Sequence, residues 1–410
     1  MSARFAQWMA DHGVKYERIA ETEKRFNVFK ENLKLIDSVN AEKRSYTLSL
    51  NKFSDLSLDE FRNQYMGLNV DAAGRKMATK GPFMYGNVSA MAAAPDTMDW
   101  RAKGVVTPIK NQQNCGCCWA FSAAAAVESI TKIKTGNSVS SSEQELVDCV
   151  TGGISRGCQS GLMDEAFKFI INNGGLSSEN DYPYQAKDGT CDTQKSSSKA
   201  ATITGFHDIP YHDENAMLSA VANQPISVGI NGSGSEFRHY SGGIFTGACG
   251  LDLDHAVTII GYGTGDDGTP YWLIKNSWGE SWGENGVTIF ADASVSTVPT
   301  RYVQFFEDIE GASTYAWGVA ALAFFYHSLR KACTFKRRHF SGSGTLMKCW
   351  LYEHIMHMRP IPHSIPPNIS RAIEEYYGNP YNLMPPIRQE SDNLQPNEVS
   401  VVKASTVMLA

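Results

Sequence analysis

No run of apolar residues in this 410-residue chain is long enough to cross a bilayer. The longest, Tyr315 to Tyr326, falls short of the about 20 residues that a spanning helix needs, so no membrane partner is expected. Met1 opens MSARFAQWMADHG, which lacks the charged and then apolar stretch of a secretory leader. Net charge is modest, −6 from 37 Lys and Arg against 43 Asp and Glu. It is unevenly spread: residues 95–290 hold 12 basic and 22 acidic residues, 12 − 22 = −10, so the remainder is net positive. An acidic block suits a low-pH compartment and bears on solubility and partners, not on fold. The basic run Lys336-Arg337-Arg338-His339 is only four residues. A run this short reads as a solvated face, and nucleic acid is not expected as a partner.

Against these absences stands one concentrated motif, Gln112-Gln113-Asn114-Cys115-Gly116-Cys117-Cys118-Trp119-Ala120-Phe121-Ser122. Residues 119–128, WAFSAAAAVE, hold four consecutive alanines and no breaker, which predicts a helix beginning near Cys118. A helix N-terminus offers partial positive charge and free N–H groups, and both lower a thiol pKa. Gln112 places a side-chain amide six residues upstream. An isolated cysteine here would read as a structural residue heading a core helix. Two downstream segments argue otherwise. Leu253-Asp254-His255-Ala256-Val257, followed by TIIGYGT, reads as a strand running into a glycine turn. Tyr271-Trp272-Leu273-Ile274-Lys275-Asn276-Ser277-Trp278-Gly279 reads as a second strand, ending in an amide and an indole. His255 lies 137 residues after Cys118, and Asn276 lies 158 after it.

These segments, in this order and at this spacing, resemble the papain family of cysteine peptidases. The resemblance implies an α+β fold of two halves, a helical one carrying Cys118 and a β-barrel-like one carrying His255 and Asn276, with a cleft between them. It implies hydrolysis of peptide bonds through a thioester, with no metal and no organic cofactor. Cys118 would be the nucleophile, and His255 would hold its proton and later give it to the leaving amine. Asn276 would orient the far ring nitrogen, and Trp278 would cover that bond. The Gln112 amide and the Cys118 N–H would form the oxyanion hole. Leu162, Met163, Gly229, Leu253 and Ala256 would line the second subsite, so a hydrophobic residue is expected there. Gly161 would pair with extended substrate. The family turn reads GCNGG where this chain has Gly157-Cys158-Gln159-Ser160-Gly161, and Ser160 is expected to strain that turn or narrow the cleft. The resemblance also pairs Cys115 with Cys158 and Cys149 with Cys191, which implies an oxidising route. Cys117 stands as a free spectator thiol where many relatives have serine.

The N-terminal region carries its own pattern. Glu21, Arg25, Phe29, Asn32, Ile36 and Asn40 recur at spacings of 4, 4, 3, 4 and 4, which puts them on one helical face. This face resembles the interspersed motif of the family's inhibitory propeptide. Asn51, Phe53 and Asp55 resemble its second motif, with Ser49 where the family has glycine. By this resemblance residues 1–93 would be a helical propeptide acting as an intramolecular inhibitor, and residues 94–290 a peptidase domain truncated at its C-terminal end. Gly86 to Ala94 is a small-residue linker, with cleavage expected near Ala94. Relatives carry a leader, so a trimmed N-terminus or a lost first exon is expected, with a vacuolar, lysosomal or extracellular destination. Asn87, Asn231 and Asn368 each open a glycosylation sequon.

The resemblance breaks after Trp282-Gly283-Glu284-Asn285-Gly286. Val287 to Phe290 is expected to form one more strand. About 35 residues of the family's β half then have no counterpart, including one wall of the specificity pocket and the partner of Cys249. Residues 301–365 instead resemble a fragment of the plant mobile domain of transposon-derived proteins. Residues 366–410 are proline-rich and polar and are expected to be disordered. A fused gene of plant origin is the simplest account. Two alternatives follow, an inactive peptidase homologue from a chimeric gene and a nucleic-acid-associated protein acting through the tail.

Overall fold

The computed structural model describes residues 1–69, 85, 94–210, 213–250 and 252–291, and the backbone of 400–404. The chain divides into two units, Met1–Ser294 with Gln395–Ala410, and Val295–Leu394. Everything described lies in the first. The expected linker at 86–93, the mobile-domain-like segment at 301–365 with its basic run, and the sequons at Asn87 and Asn368 lie outside the described residues.

The chain begins with α1 (Ser2–Asp11), α2 (Ile19–Ala41), β1 (Tyr46–Leu48) and α3 (Leu58–Tyr65). Of the helical face read from the sequence of α2, Phe29, Asn32 and Ile36 are buried, together with Leu33 and Val39, while Glu21 and Arg25 are partly buried and Asn40 is exposed. Phe5, Trp8, Phe29 and Leu33 form a small aromatic-rich core between α1 and α2. Helix α3 starts in a capping box, Ser57 with Glu60, which satisfies two of the N–H groups a helix start leaves open.

A short β2 (Met98–Asp99) leads into α4 (Cys118–Thr135), which begins on the cysteine as the sequence predicts. Its alanine run is fully buried, and Gly136 ends it in the left-handed region at φ 77°, where glycine pays no steric cost. Around it pack α5 (Glu143–Cys149), the hairpin β3 (Thr151–Gly152) and β4 (Ser155–Arg156), and α6 (Met163–Asn172). The Cys115–Cys158 and Cys149–Cys191 disulfides tie this half. Ser160 does not carry the strain expected of it. It has no positive φ, and its carbonyl accepts the Arg156 N–H at 2.7 Å, so an ordinary backbone closes the turn.

The second half consists of β5 (Gly205–Asp208), α7 (Glu214–Asn223), β6 (Ile226–Ile230), β7 (Tyr240–Phe245), β8 (His255–Thr264), β9 (Pro270–Lys275), β10 (Val287–Ala291) and β11 (Ser400–Ala404). They form a mixed sheet in the order β1-β7-β10-β9-β8-β6-β11-β5, with β2 paired to β8. The barrel-like half expected from the sequence is an open sheet. Its two end strands, of three and four residues, do not pair with each other. The propeptide strand β1 covers one edge by antiparallel pairing with β7. A second correction concerns the tail. Residues 366–410 were expected to be disordered, yet 400–404 form a strand inside the sheet, parallel to both neighbours. Hydrogen bonding to strands on either side outweighs a polar composition.

The propeptide and the sheet share one core. Ile36, Val39, Leu48, Phe53, Phe61 and Met66 pack with Ile226, Val228, Phe237, Phe245, Trp278 and Trp282. Burying each large side chain contributes about 1.5–3 kcal/mol, so this docking is a substantial part of the folded state.

Candidate active site

Cys118 is the first residue of α4, and His255 the first of β8. Asn276 follows the last residue of β9 and is held by its N–H donating to the Gly286 carbonyl at 3.0 Å. Strand pairing between β8 and β9 brings His255 and Asn276 together, with Nε2 of the ring 2.8 Å from Asn276 Oδ1. That oxygen also accepts the Ser277 N–H at 2.8 Å. An amide oxygen only accepts, so Nε2 is the protonated nitrogen. Nδ1 of the neutral ring is then a free lone pair, and it has no hydrogen-bond partner among the described residues. Trp278 stacks on the ring with centroids 4.7 Å apart and is itself fully buried.

Gln112 is held at both ends. Its N–H donates to the Ser277 carbonyl at 2.8 Å, and its Oε1 accepts from Ser277 Oγ at 2.6 Å. Nε2 is thereby turned toward the cysteine loop, where it donates to the Cys115 carbonyl at 2.9 Å and the Tyr65 carbonyl at 3.0 Å. Tyr65 belongs to the propeptide, so its carbonyl occupies the amide donor.

The segment after Tyr65 runs across the cysteine. Gly67 passes so close to Gly116 that an added Cβ would lie 1.6 Å from the Gly116 carbonyl oxygen. The Gly67 carbonyl accepts the Gly161 N–H at 2.8 Å, and the Gly161 carbonyl accepts the Asn69 N–H at 3.3 Å. Leu68 and Gly161 form a parallel bridge. A Cβ on Gly161 would meet the Trp119 indole at 2.3 Å, so glycine is required there. The residues expected to line the second subsite lie near Leu68. Gly229 pairs with Ala256 across β6 and β8, and the space above Gly229 holds Leu68 and Leu253 side chains. Met163, Ala256 and Leu68 share one apolar cluster, with Leu162 and Leu253 packed against it.

Burial under this segment sets the electrostatics. The Cys118 thiol is fully buried and pushed up to about 12, although N–H groups of Ala256 and Gly67 favour the thiolate. Desolvation therefore outweighs these N–H groups while the thiol is covered. The same burial lowers His255 to about 4, against the pull of Asn276. Burial thus favours the neutral form of both the Cys118 thiol and the His255 ring. Cys117 is also buried, with its thiol 3.1 Å from the Tyr184 hydroxyl. Cys249 is free and partly buried.

Sequence reasoning missed the docking contacts on the peptidase side. Arg238 and His239 are fully buried beneath the propeptide. The Arg238 guanidinium donates to the Leu56 carbonyl at 2.8 Å and to Asn32 Oδ1 at 2.7 Å, and its carbonyl accepts from Asn51 Nδ2 at 2.8 Å. The His239 carbonyl accepts the Ser49 N–H at 2.9 Å. Nothing in the sequence marks this pair, which lies in a short 3-10 turn just before β7. Arg25, from the expected helical face, binds Glu21 at 2.6 Å and Glu60 at 2.8 Å, and donates to the Asp55 carbonyl at 3.1 Å. Among the described residues no cluster could hold a metal ion, and no helix is long and apolar enough to cross a membrane.

Comparison with known proteins agrees with this geometry. The papain family cysteine protease pattern matches residues 94–299, and the cathepsin propeptide inhibitor domain matches residues 5–61. The plant mobile domain matches residues 285–395. The chain is 51% identical over 286 residues to the senescence-specific cysteine protease SAG39 of Oryza sativa subsp. japonica, covering 70% of this chain and 83% of that one. It is 51% identical over 290 residues to senescence-specific cysteine protease SAG12 of Arabidopsis thaliana, with the same coverage. Among solved structures, the recombinant stem bromelain precursor is similar with a TM-score of 0.64 and 42% identity, covering 71% of this chain and 91% of that one. The proform of the ragweed pollen allergen Amb a 11 is similar with a TM-score of 0.65 and 40% identity, covering 70% and 87%. With a helix that begins on a buried cysteine, a His–Asn pair on paired strands, and a propeptide segment lying over the cysteine, the chain is a proenzyme and belongs to the papain family of cysteine proteases.

Proposed function

We propose that the chain, once relieved of its propeptide, is an endopeptidase that cleaves peptide bonds through a thioester on Cys118. Opening the cleft returns water and charge to the dyad. The thiol proton passes to the bare Nδ1 of His255, giving a thiolate–imidazolium pair. The sulfur attacks the scissile carbonyl, whose oxygen takes the place that the Tyr65 carbonyl holds on Gln112. The amine leaves with the proton from His255. Water then attacks the thioester, giving its proton to His255, and the acid and the free thiol are released. Asn276 keeps the ring oriented, and Trp278 shields their bond.

One observation carries this reading. A peptide, the segment from Tyr65 to Asn69, already lies where a substrate would, with a carbonyl on Gln112, backbone pairing at Gly161 and an apolar side chain beside Gly229. Leu68 beside Leu253 supports a preference for a hydrophobic residue in the second subsite. The two disulfides support maturation along a secretory route, toward a vacuolar, lysosomal or extracellular site.

The test is a matched series of peptidyl substrates given to the acid-activated chain, with Cys118→Ala as control. Leu or Phe in the second subsite should exceed Asp or Lys in kcat/KM by at least about tenfold, as burial of one apolar side chain warrants. A preference for charged residues there overturns the subsite assignment. Turnover that survives Cys118→Ala overturns the mechanism.

A further inference from the structure

The strand at 400–404 has a position that no family match covers, since the mobile-domain match ends at 395 and the peptidase match at 299. It lies between β5 and β6, which make no ladder with each other. Ser400, Val401, Val402 and Lys403 pair in parallel with Gly205, Phe206, His207 and Asp208. On the other side Lys403 and Ala404 pair in parallel with Ser227 and Val228. The chain leaves the peptidase unit at Ser294 and rejoins it at Gln395, so the mobile-domain-like segment interrupts this unit instead of ending it.

We infer that residues 400–404 are the closing strand of the peptidase sheet, and that the slot between β5 and β6 is a binding site for one extended peptide strand, filled in cis by the tail.

The physical reason is backbone satisfaction. Every residue of β6 is buried with the strand in place, and an empty slot would leave the N–H and C=O groups on this edge without strand partners. Only another backbone in extended form offers donors and acceptors at the repeat of a strand. A strand flanked in parallel on both sides is a central one, and the two adjacent valines suit it. The slot also matters to the active site. The far edge of β6 pairs with β8, where Ile230 faces His255 and Gly229 faces Ala256. The closing strand thus lies beside β6, and only that strand separates it from His255 and Ala256 on β8.

Hydrogen exchange of the intact proenzyme, read by mass spectrometry, tests this directly. The amides of 401–404, 205–208 and 226–230 should exchange together and at least about 100-fold more slowly than an unstructured peptide, as one cooperative unit does. Exchange of 401–404 at the unstructured rate, with 226–230 still protected, overturns the inference. A chain ending at Glu398 gives a second reading. It should lose protection at 205–208 and 226–230, and regain it with added synthetic peptide 396–410. The same peptide carrying Val402→Pro, which lacks one ladder N–H, should fail to restore it. Unchanged protection in the shortened chain, or equal rescue by the proline peptide, overturns the proposed site.

Discussion

Asn276 decides which nitrogen of His255 is free to take a proton. Its Oδ1 is fixed as an acceptor by the Ser277 N–H, so the Nε2–H must point to it and Nδ1 is left bare. Gln112 is fixed by the same neighbour, through Ser277 Oγ and the Ser277 carbonyl. Its amide therefore waits, already oriented, for a carbonyl oxygen. Gln112→Ala should lower kcat by about 10²–10³ with little change in KM, because a preoriented donor acts mainly on the developing oxyanion. Steady-state kinetics on a peptidyl amide check this. Gly67 is the matching residue on the inhibitory side. Gly67→Ala places a methyl against the Gly116 carbonyl, and overpacking of this kind costs about 1–3 kcal/mol. The uncleaved variant should react with a thiol-directed epoxide at neutral pH about 5–150-fold faster than the parent. The rate of label incorporation is the readout.

At the level of elements, the propeptide is held by a helix, a strand and a buried cation. Helix α2 supplies Asn32, β1 extends the sheet beside β7, and Arg238 on the peptidase side binds both Asn32 and the Leu56 carbonyl. Arg238→Met keeps an apolar stem and removes both bonds. Hydrogen bonds to a charged group contribute about 1.5–3 kcal/mol each. Self-processing of the variant at mildly acidic pH should therefore speed up by at least about tenfold, followed by loss of the proenzyme band. The elements that carry chemistry were legible in the sequence. The alanine run announced α4, the 4-4-3-4-4 spacing announced Phe29, Asn32 and Ile36 of the buried face of α2 but not Leu33 and Val39, and the apolar runs after His255 and before Asn276 announced β8 and β9. Three things were not legible. Tyr65 ends a helix, and Gly67 and Leu68 follow it in a short stretch with no period, so nothing marked them as the segment that fills the cleft. Arg238 and His239 look like surface residues until the propeptide covers them. Residues 400–404 are separated from their neighbours β5 and β6 by a foreign segment, and long-range strand pairing leaves no local trace.

For the whole molecule, acid is the natural trigger, and the sign can be worked out. His239 sits at about 3 in the closed form, lowered by burial, against 6.5 for a free imidazole. Its pKa is depressed in the closed state, so its contribution is present above about 6.5 and is lost as pH falls toward 3. His255 is lowered to about 4 by the same burial, but in the proposed mechanism it takes its proton from Cys118 on opening, so that pair draws none from solvent. His239 would also be charged next to the Arg238 guanidinium, which lowers its pKa further. Glu60 is lowered to about 2; burial opposes the shift but is outweighed by Lys24, the Ser57 N–H and Arg25. Its stabilising share is present above the ordinary carboxylate range and is lost last, as pH approaches 2. Propeptide release should therefore begin below about pH 6.5 and steepen toward pH 4. His239→Phe should shift that profile to lower pH, because the buried site no longer gains a charge. A pH series of proenzyme processing rates checks both, and an unshifted profile removes His239 from the account.

The most direct measurement is epoxide labelling of the intact chain before and after acid processing, with the labelled residue mapped by mass spectrometry and Cys118→Ala as control. The account predicts label on Cys118 that appears only once the propeptide is gone. A soluble, folded and processed protein that takes no label at Cys118 would contradict it.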